Sequence, residues 1–361
     1  MHSSVSRGRK KSMREVPRAM ARGQARRKKP VLVAFLAASI LLFAGVPAAS
    51  AQSYPGATNS HYMETVDGAT LYNQGCTLGQ AATSGSAPSN AIVVLDFGQP
   101  WVSGSTYGAK YWYGTGGTFA STSTIANAVE QFGKGFYACS SSTPRLRVAS
   151  GVNSDSSYVG TSHGAAWGAM VKSINGWFSS NGYTSQVSAA AAIDIESGFS
   201  ASASMARAWT DGVGQNAGVA SYDFGAASGC SWTGYTSPPG YQCNGNWYQD
   251  DYWYVSWGAA AAWPLPIVYN QTIITLPNGL PSDPNAQQWE MIRRYGSAYK
   301  SGAVVMEGDM TQHTACHQPG HSCSGTDNTQ ATGWTHLYNS VNAYTPSQGN
   351  LPWATDIMWG F

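Results

Sequence analysis

Beyond residue 90, apolar runs of strand length alternate with stretches of helical period. Ala91–Phe97 (AIVVLDF) is apolar up to a single acid near its end and predicts a buried strand. Ile125, Val129, Phe132 and Phe136 then recur at helical spacing. Arg145–Ser150 predicts a second strand, and Trp167, Met170, Val171, Ile174 and Phe178 line one helix face between His163 and Ser180. A third strand, VSAAAAIDIES, precedes a helix from about Ser202 that carries Met205, Trp209 and Val213. Ala217–Phe224, Tyr252–Trp257, Pro264–Asn270 and Ala303–Met310 are further strand candidates, with helices over Ala286–Tyr299 and around Trp334, Leu337, Tyr338 and Val341. Residues 52–90 are rich in Gly, Ser and Thr and are expected to be a leading segment with at most one strand.

Alternating strands and helices predict parallel βαβ units. Over this length they fit an α/β fold of the (β/α)8, TIM-like barrel type in one domain, 91–361, better than an open doubly wound sheet. No Gly-rich dinucleotide fingerprint follows the first strand, which runs instead into Gly98-Gln99-Pro100-Trp101. Residues 226–251, with two cysteines and a Pro-Pro pair, are expected to be a loop insertion at one end of the barrel.

The first 51 residues follow a different pattern. Eleven basic side chains from Arg7 to Lys29 face one acid, Glu15; an uncharged apolar run, Val31–Val46, follows and ends in Pro47 and Ala49-Ser50-Ala51. This is the pattern of a cleavable signal peptide, too short for a membrane span. Arg26-Arg27 lacks the flanking Ser and Phe-Leu of a twin-arginine signal, so the general secretion route is expected. Without this segment the chain keeps 9 basic and 17 acidic side chains. The apparent basic balance then disappears, and no nucleic-acid partner is expected. The remainder is expected to be a released, monomeric extracellular protein with no membrane attachment.

Export also gives the six cysteines an oxidising setting. Cys230 and Cys243 flank Ser237-Pro238-Pro239-Gly240, and Cys316 and Cys323 flank Gln318-Pro319-Gly320. The short separations favour these two pairs and leave Cys76 with Cys139, although spacing alone does not choose among the possible connectivities.

In a barrel, chemistry collects where strands end, so acids that close apolar runs are the candidates. Asp96, Asp194, Glu196, Asp223, Glu307 and Asp309 all do so, as do Tyr269 and Asn270. Asp194 and Glu196 stand two apart on one strand and therefore share a face. Two neighbouring carboxyls whose surroundings separate their proton affinities suit glycoside hydrolysis. Such acids also cap helices and order loops, which is the competing role. Trp101, Trp112, Trp232, Trp247, Trp253, Trp257 and Trp263 lie at strand ends or in loops, where indoles stack on sugar faces as readily as they fill a core.

VVLDF with Asp96, IDIES with Asp194 and Glu196, YVSWG with Trp257 and PIVYN with Tyr269 resemble, in order, the barrel glycoside hydrolases of the lysozyme-like muramidase type and their secreted glycoside-hydrolase-like relatives. The resemblance implies Glu196 as proton donor, with Asp96 and Asp194 assisting. It also implies a polysaccharide or peptidoglycan substrate and no cofactor. Trp101, Trp257, Tyr269, Asn270, Glu307 and Asp309 are the expected substrate contacts. The family carries its DxE on a fourth strand, whereas only two strands are legible ahead of this one. The family's late Trp-Gln pair is reversed here, as Gln288-Trp289.

Two other constellations compete. Gly160-Thr161-Ser162-His163-Gly164 matches a nucleophile elbow, but a polar stretch precedes it where a strand is needed, and Thr161 or Ser162 suits a helix N-cap. His313, Cys316, His317, His321 and Cys323 are dense enough for zinc. A disulfide with surface histidines is the simpler expectation, and no metal is assigned.

Overall fold

The computed structural model describes residues 52–111, 117–300, 302–325 and 327–361. The basic and apolar leader lies outside them, as does Trp112. Eight strands form one sheet: β1 (Thr58–Tyr62), β2 (Asn90–Asp96), β3 (Arg145–Asn153), β4 (Val187–Asp194), β5 (Ser221–Asp223), β6 (Ala262–Pro264), β7 (Gly308–Thr311) and β8 (Trp353–Trp359). Every neighbouring pair is parallel, in the order β7-β8-β1-β2-β3-β4-β5-β6. The two ends meet where the Met310 N–H donates to the Pro266 carbonyl and the Val268 N–H donates to the Met310 carbonyl, at 2.9 and 2.7 Å. The result is an α/β, nearly closed eight-stranded barrel.

The helices around it are α1 (Gly68–Ser84), α2 (Thr122–Cys139), α3 (Thr161–Ser180), α4 (Ala203–Gly214), α5 (Gln249–Trp253), α6 (Pro284–Tyr299), α7 (His313–His317) and α8 (Gln330–Asn342). Alternation along the strands sorts two cores. Ile92, Val94, Ala149, Ala190, Ala192, Tyr222, Met310 and Ile357 pack together inside the barrel. Val93, Leu95, Val148, Ala191 and Ile193 pack outward with the apolar helix faces. The period of two then carries each inward file to the strand's carboxyl end. Asp96 follows Ile92 and Val94, Asp194 follows Ala190 and Ala192, and Asn153 follows Ala149 and Gly151.

Four expectations need correction. Residues 52–90 are not a lead-in to the barrel: they supply β1 and α1, its first β/α unit. The DxE strand is therefore the fourth in the barrel. Tyr252–Trp257 is helical, not a strand, with α5 running on through one wider turn to Gly258. Asp250 and Asp251 in the first turn favour helix there, and both accept from Arg207 at 3.1 and 2.8 Å. Pairing in the PLPIVYN region is confined to Ala262–Pro264 and a bridge at Ile267, and the strand near Ala303 begins only at Gly308. A three-stranded antiparallel ribbon (99–103, 106–111, 118–121), not foreseen, follows β2.

The three disulfides are Cys76–Cys139, Cys230–Cys243 and Cys316–Cys323. The first ties α1 to α2, whose backbones touch: a Cβ on Gly75 would lie 2.0 Å from the Phe132 carbonyl oxygen. Gly75→Ala is expected to cost about 3 kcal/mol by forcing the helices apart. Gly176 on α3 has nothing within 4 Å of a Cβ. Gly176→Ala should therefore hold or raise stability by up to about 1 kcal/mol. Urea unfolding with the disulfides intact checks both.

Candidate active site

The inward files end at a pocket of about 250 Å³ in the carboxyl mouth of the barrel. Asp96 from β2, Asn153 and Asp155 from the end of β3, and Asp194 and Glu196 from β4 line it, with Tyr62, Phe199, Tyr269, Gln312 and Trp359. Gly151 keeps β3 close to this end, since a Cβ there would meet the Asp96 Cα at 3.2 Å and the Phe224 ring at 3.3 Å.

The Gly98 N–H donates to Asp96 Oδ1 at 2.8 Å, yet burial pushes this carboxyl up to about 7. Glu196 is also raised to about 7 by burial, against a hydrogen bond from the Ala226 N–H that favours its charge. Asp194 stands well above the usual carboxylate range, through burial first and then the charges of Glu196, Asp96 and Asp223. Asp223, at the end of β5, is raised to about 8 by burial. Among the described residues, Asp96 Oδ2, Asp194 Oδ1 and Asp223 Oδ2 are buried with no protein partner. Like charges this close cannot all ionise together, so the cluster retains protons near neutrality. It therefore offers a proton donor beside a carboxylate.

Aromatic and amide groups complete the walls. Burial, and then Asp194 and Asp96, hold the Tyr62 phenol protonated, and it accepts from Gln312 Nε2 at 2.9 Å. The Tyr269 phenol is raised by burial, Glu196 and Asp194. Trp359 packs on Tyr62, ring centroids 4.5 Å apart, and stacks with His321 at 4.8 Å. Gln318 holds the Trp359 backbone, donating to its carbonyl at 2.8 Å and accepting from its N–H at 2.6 Å.

The structure thus brings Asp96, Asp194, Glu196 and Tyr269 together. It does not bring the other expected contacts to the pocket. Lys110 Nζ covers the Trp101 ring at 3.3 Å from its centroid, outside the pocket. Trp257 precedes β6, at the amino end of the barrel, and packs on Trp263 at 5.5 Å. Asn270 accepts from the Thr272 N–H at 2.8 Å and closes its own turn. Glu307 stands before the first residue of β7, where burial raises its carboxyl and Arg147 lowers it. Asp309 faces α8: its Oδ2 would lie 3.0 Å from a Cβ on Gly333. Of the tryptophans considered for sugar stacking, Trp247 is buried in the outer core.

Tyr62 and Trp359 escaped the sequence reading because their strands did. WATDIMW does carry a signal, since Trp353, Thr355, Ile357 and Trp359 alternate with period two. Ser162 is the second residue of α3, behind a loop, and Gly160 rather than Thr161 or Ser162 is the N-cap. His163 is buried: Nε2 lies 2.8 Å from the Gly108 carbonyl oxygen, and Nδ1 accepts from the Trp209 indole at 3.1 Å. A nucleophile elbow is therefore absent at this position. Cys316 and Cys323 form a disulfide and offer no thiolates for zinc. No protein-family model matches the chain, and comparison with curated proteins gives no match.

Proposed function

We propose that this chain is an exported glycoside hydrolase acting on cell-wall or extracellular polysaccharide. One observation carries the reading: three carboxyls at the ends of β2 and β4 share a pocket with Tyr62, Tyr269 and Trp359. Glu196 is raised to about 7 and is the less enclosed member of the DxE pair, so it is assigned as the general acid to the leaving oxygen. The active form also needs one further carboxyl of the cluster, Asp194 or Asp96, without its proton, and that single charge stabilises the positive charge that develops on the sugar. The neutral phenols of Tyr62 and Tyr269 donate to sugar oxygens. Export is supported by the leader pattern and by three disulfides with no free cysteine among the described residues. Among those residues no helix is long and apolar enough to cross a membrane.

The test is release of reducing ends from peptidoglycan and a panel of soluble glycans by the purified protein. Turnover of at least one glycan is expected. Binding without turnover would instead identify a carbohydrate-binding protein on this barrel, and neither would remove the reading. Trp359→Ala is expected to raise KM about tenfold, the loss of roughly 1.4 kcal/mol of apolar contact between the sugar and the part of the indole that lines the pocket, with kcat changed much less. A loss confined to kcat would mean that Trp359 does not contact sugar.

A further inference from the structure

We propose that His313, His317 and Asp327 form a binding site for a divalent transition metal of the zinc class, and that the ion fixes the segment between α7 and α8 against the candidate active site. The binding claim stands whether or not the pocket cleaves glycans.

The two histidines are four residues apart on α7, so they project from one face of consecutive turns, the spacing by which a helix supplies two imidazole ligands. Their ring centroids are 4.6 Å apart. Asp327 comes from the far end of the same loop, three residues ahead of α8, and both rings converge on the same atom. His313 Nδ1 lies 2.5 Å from Asp327 Oδ1, and His317 Nε2 lies 2.9 Å from it. Two imidazole nitrogens and one carboxylate oxygen are donors that zinc and its first-row neighbours accept.

Metal–ligand bonds of about 2.0–2.2 Å place tetrahedral donors roughly 3.3 Å apart. The two nitrogen-to-oxygen separations must therefore open by less than about 1 Å. The side chains are 31, 55 and 23% exposed for His313, His317 and Asp327, which leaves room for that movement and for solvent to complete the coordination. Each imidazole binds in its neutral form, with its remaining proton on the other ring nitrogen.

The backbone beneath these side chains is already held in place. The His313 and Thr314 N–H groups donate to Asp356 on β8, each at 2.9 Å. The Cys316–Cys323 bridge closes the other side. Its sulfurs lie within 4.8 Å of the His317 and Asp327 donor atoms, but as a disulfide they leave the ligand set as two histidines and an aspartate.

The neighbours of these ligands reach the pocket. Gln312, next to His313, donates to the Tyr62 hydroxyl; Gln318, next to His317, holds the Trp359 backbone; and His321 stacks on the Trp359 ring. An ion that fixes His313 and His317 thereby fixes the wall formed by Gln312 and Trp359.

The experiment uses the purified protein with its disulfides intact, confirmed by thiol titration, and stripped by a chelator. Co²⁺ is titrated by visible absorption and Zn²⁺ by calorimetry and thermal melting. One equivalent should bind, with a rise in Tm. His313→Ala/His317→Ala should abolish both effects, Asp327→Asn should weaken binding at least about tenfold, and His321→Ala should leave it unchanged. No saturable binding up to about 100 µM metal, or equal binding by the double variant, would overturn the proposal. Because every readout is metal binding or stability, inactivity on glycans would not affect the outcome.

Discussion

Glu196→Gln is expected to lower kcat on a cleaved glycan by on the order of 10³-fold, with KM within a few-fold of the unsubstituted enzyme. Glutamine keeps the volume of the side chain, and its oxygen still accepts from the Ala226 N–H, but it has no proton to give to the leaving oxygen. The defect should therefore depend on the leaving group. An aryl glycoside with an acidic phenol needs little protonation and should recover most of the lost rate, whereas an unactivated sugar should not. The pH profile gives a second check. Burial raises Glu196 to about 7, so kcat/KM should fall as pH rises through that value, and this limb should vanish in the variant. Undiminished turnover of unactivated glycan by Glu196→Gln would remove it as the acid.

What could be read from sequence followed from how strongly each strand is patterned. AIVVLDF and VSAAAAIDIES are long, apolar and closed by acids, so both the strands and the inward direction of Asp96, Asp194 and Glu196 were legible. TNSHY has no apolar run at all: β1 holds its place through Ser60, whose hydroxyl lies 2.7 Å from Thr355 Oγ1 and accepts from the Val94 N–H at 2.9 Å. A strand stabilised by buried hydroxyls leaves little hydrophobic signal, and Tyr62 was lost with it. Tyr252–Trp257 misled in the opposite way. Its aromatic and β-branched content favours a strand, but Tyr252 and Val255 are buried three apart, which is helical spacing, and Trp257 moved away from the mouth with that change. Glu307 and Asp309 repeated the DxE spacing without its setting. The strand begins only at Gly308, and ahead of it the Met306 N–H donates to Gln348 rather than to a neighbouring strand, so the pair does not close a long inward file as Asp194 does.

Asp96→Asn is expected to raise stability at pH 8 while changing it little at pH 4. A free aspartate loses its proton near 3.9, whereas burial holds Asp96 in the folded protein to about 7. Below pH 4 both states carry the proton and the full stability is present. Between about pH 4 and 7 the unfolded chain has released the proton that the folded chain retains, so rising pH favours unfolding, and the loss levels off above 7. A shift of roughly three units corresponds to about 4 kcal/mol at most, or several degrees in Tm for a chain of this size. Asparagine keeps the oxygen that accepts from the Gly98 N–H and carries no charge at any pH. Buried His61, lowered to about 4, makes the opposite contribution between pH 6.5 and 4, so the informative quantity is the difference between variant and parent at each pH. An equal gain at pH 4 and pH 8, or no gain at pH 8, would mean that Asp96 is not held protonated by burial. The same substitution removes one of the charges that raise Asp194, so the Asp194–Glu196 pair should ionise at lower pH and the alkaline limb of any glycan turnover should move with it. A thermal-melt series from pH 4 to 8 therefore reads the Asp96 proton as stability, and a pH–rate profile on the same variant reads the Asp96 charge through its effect on the Asp194–Glu196 pair.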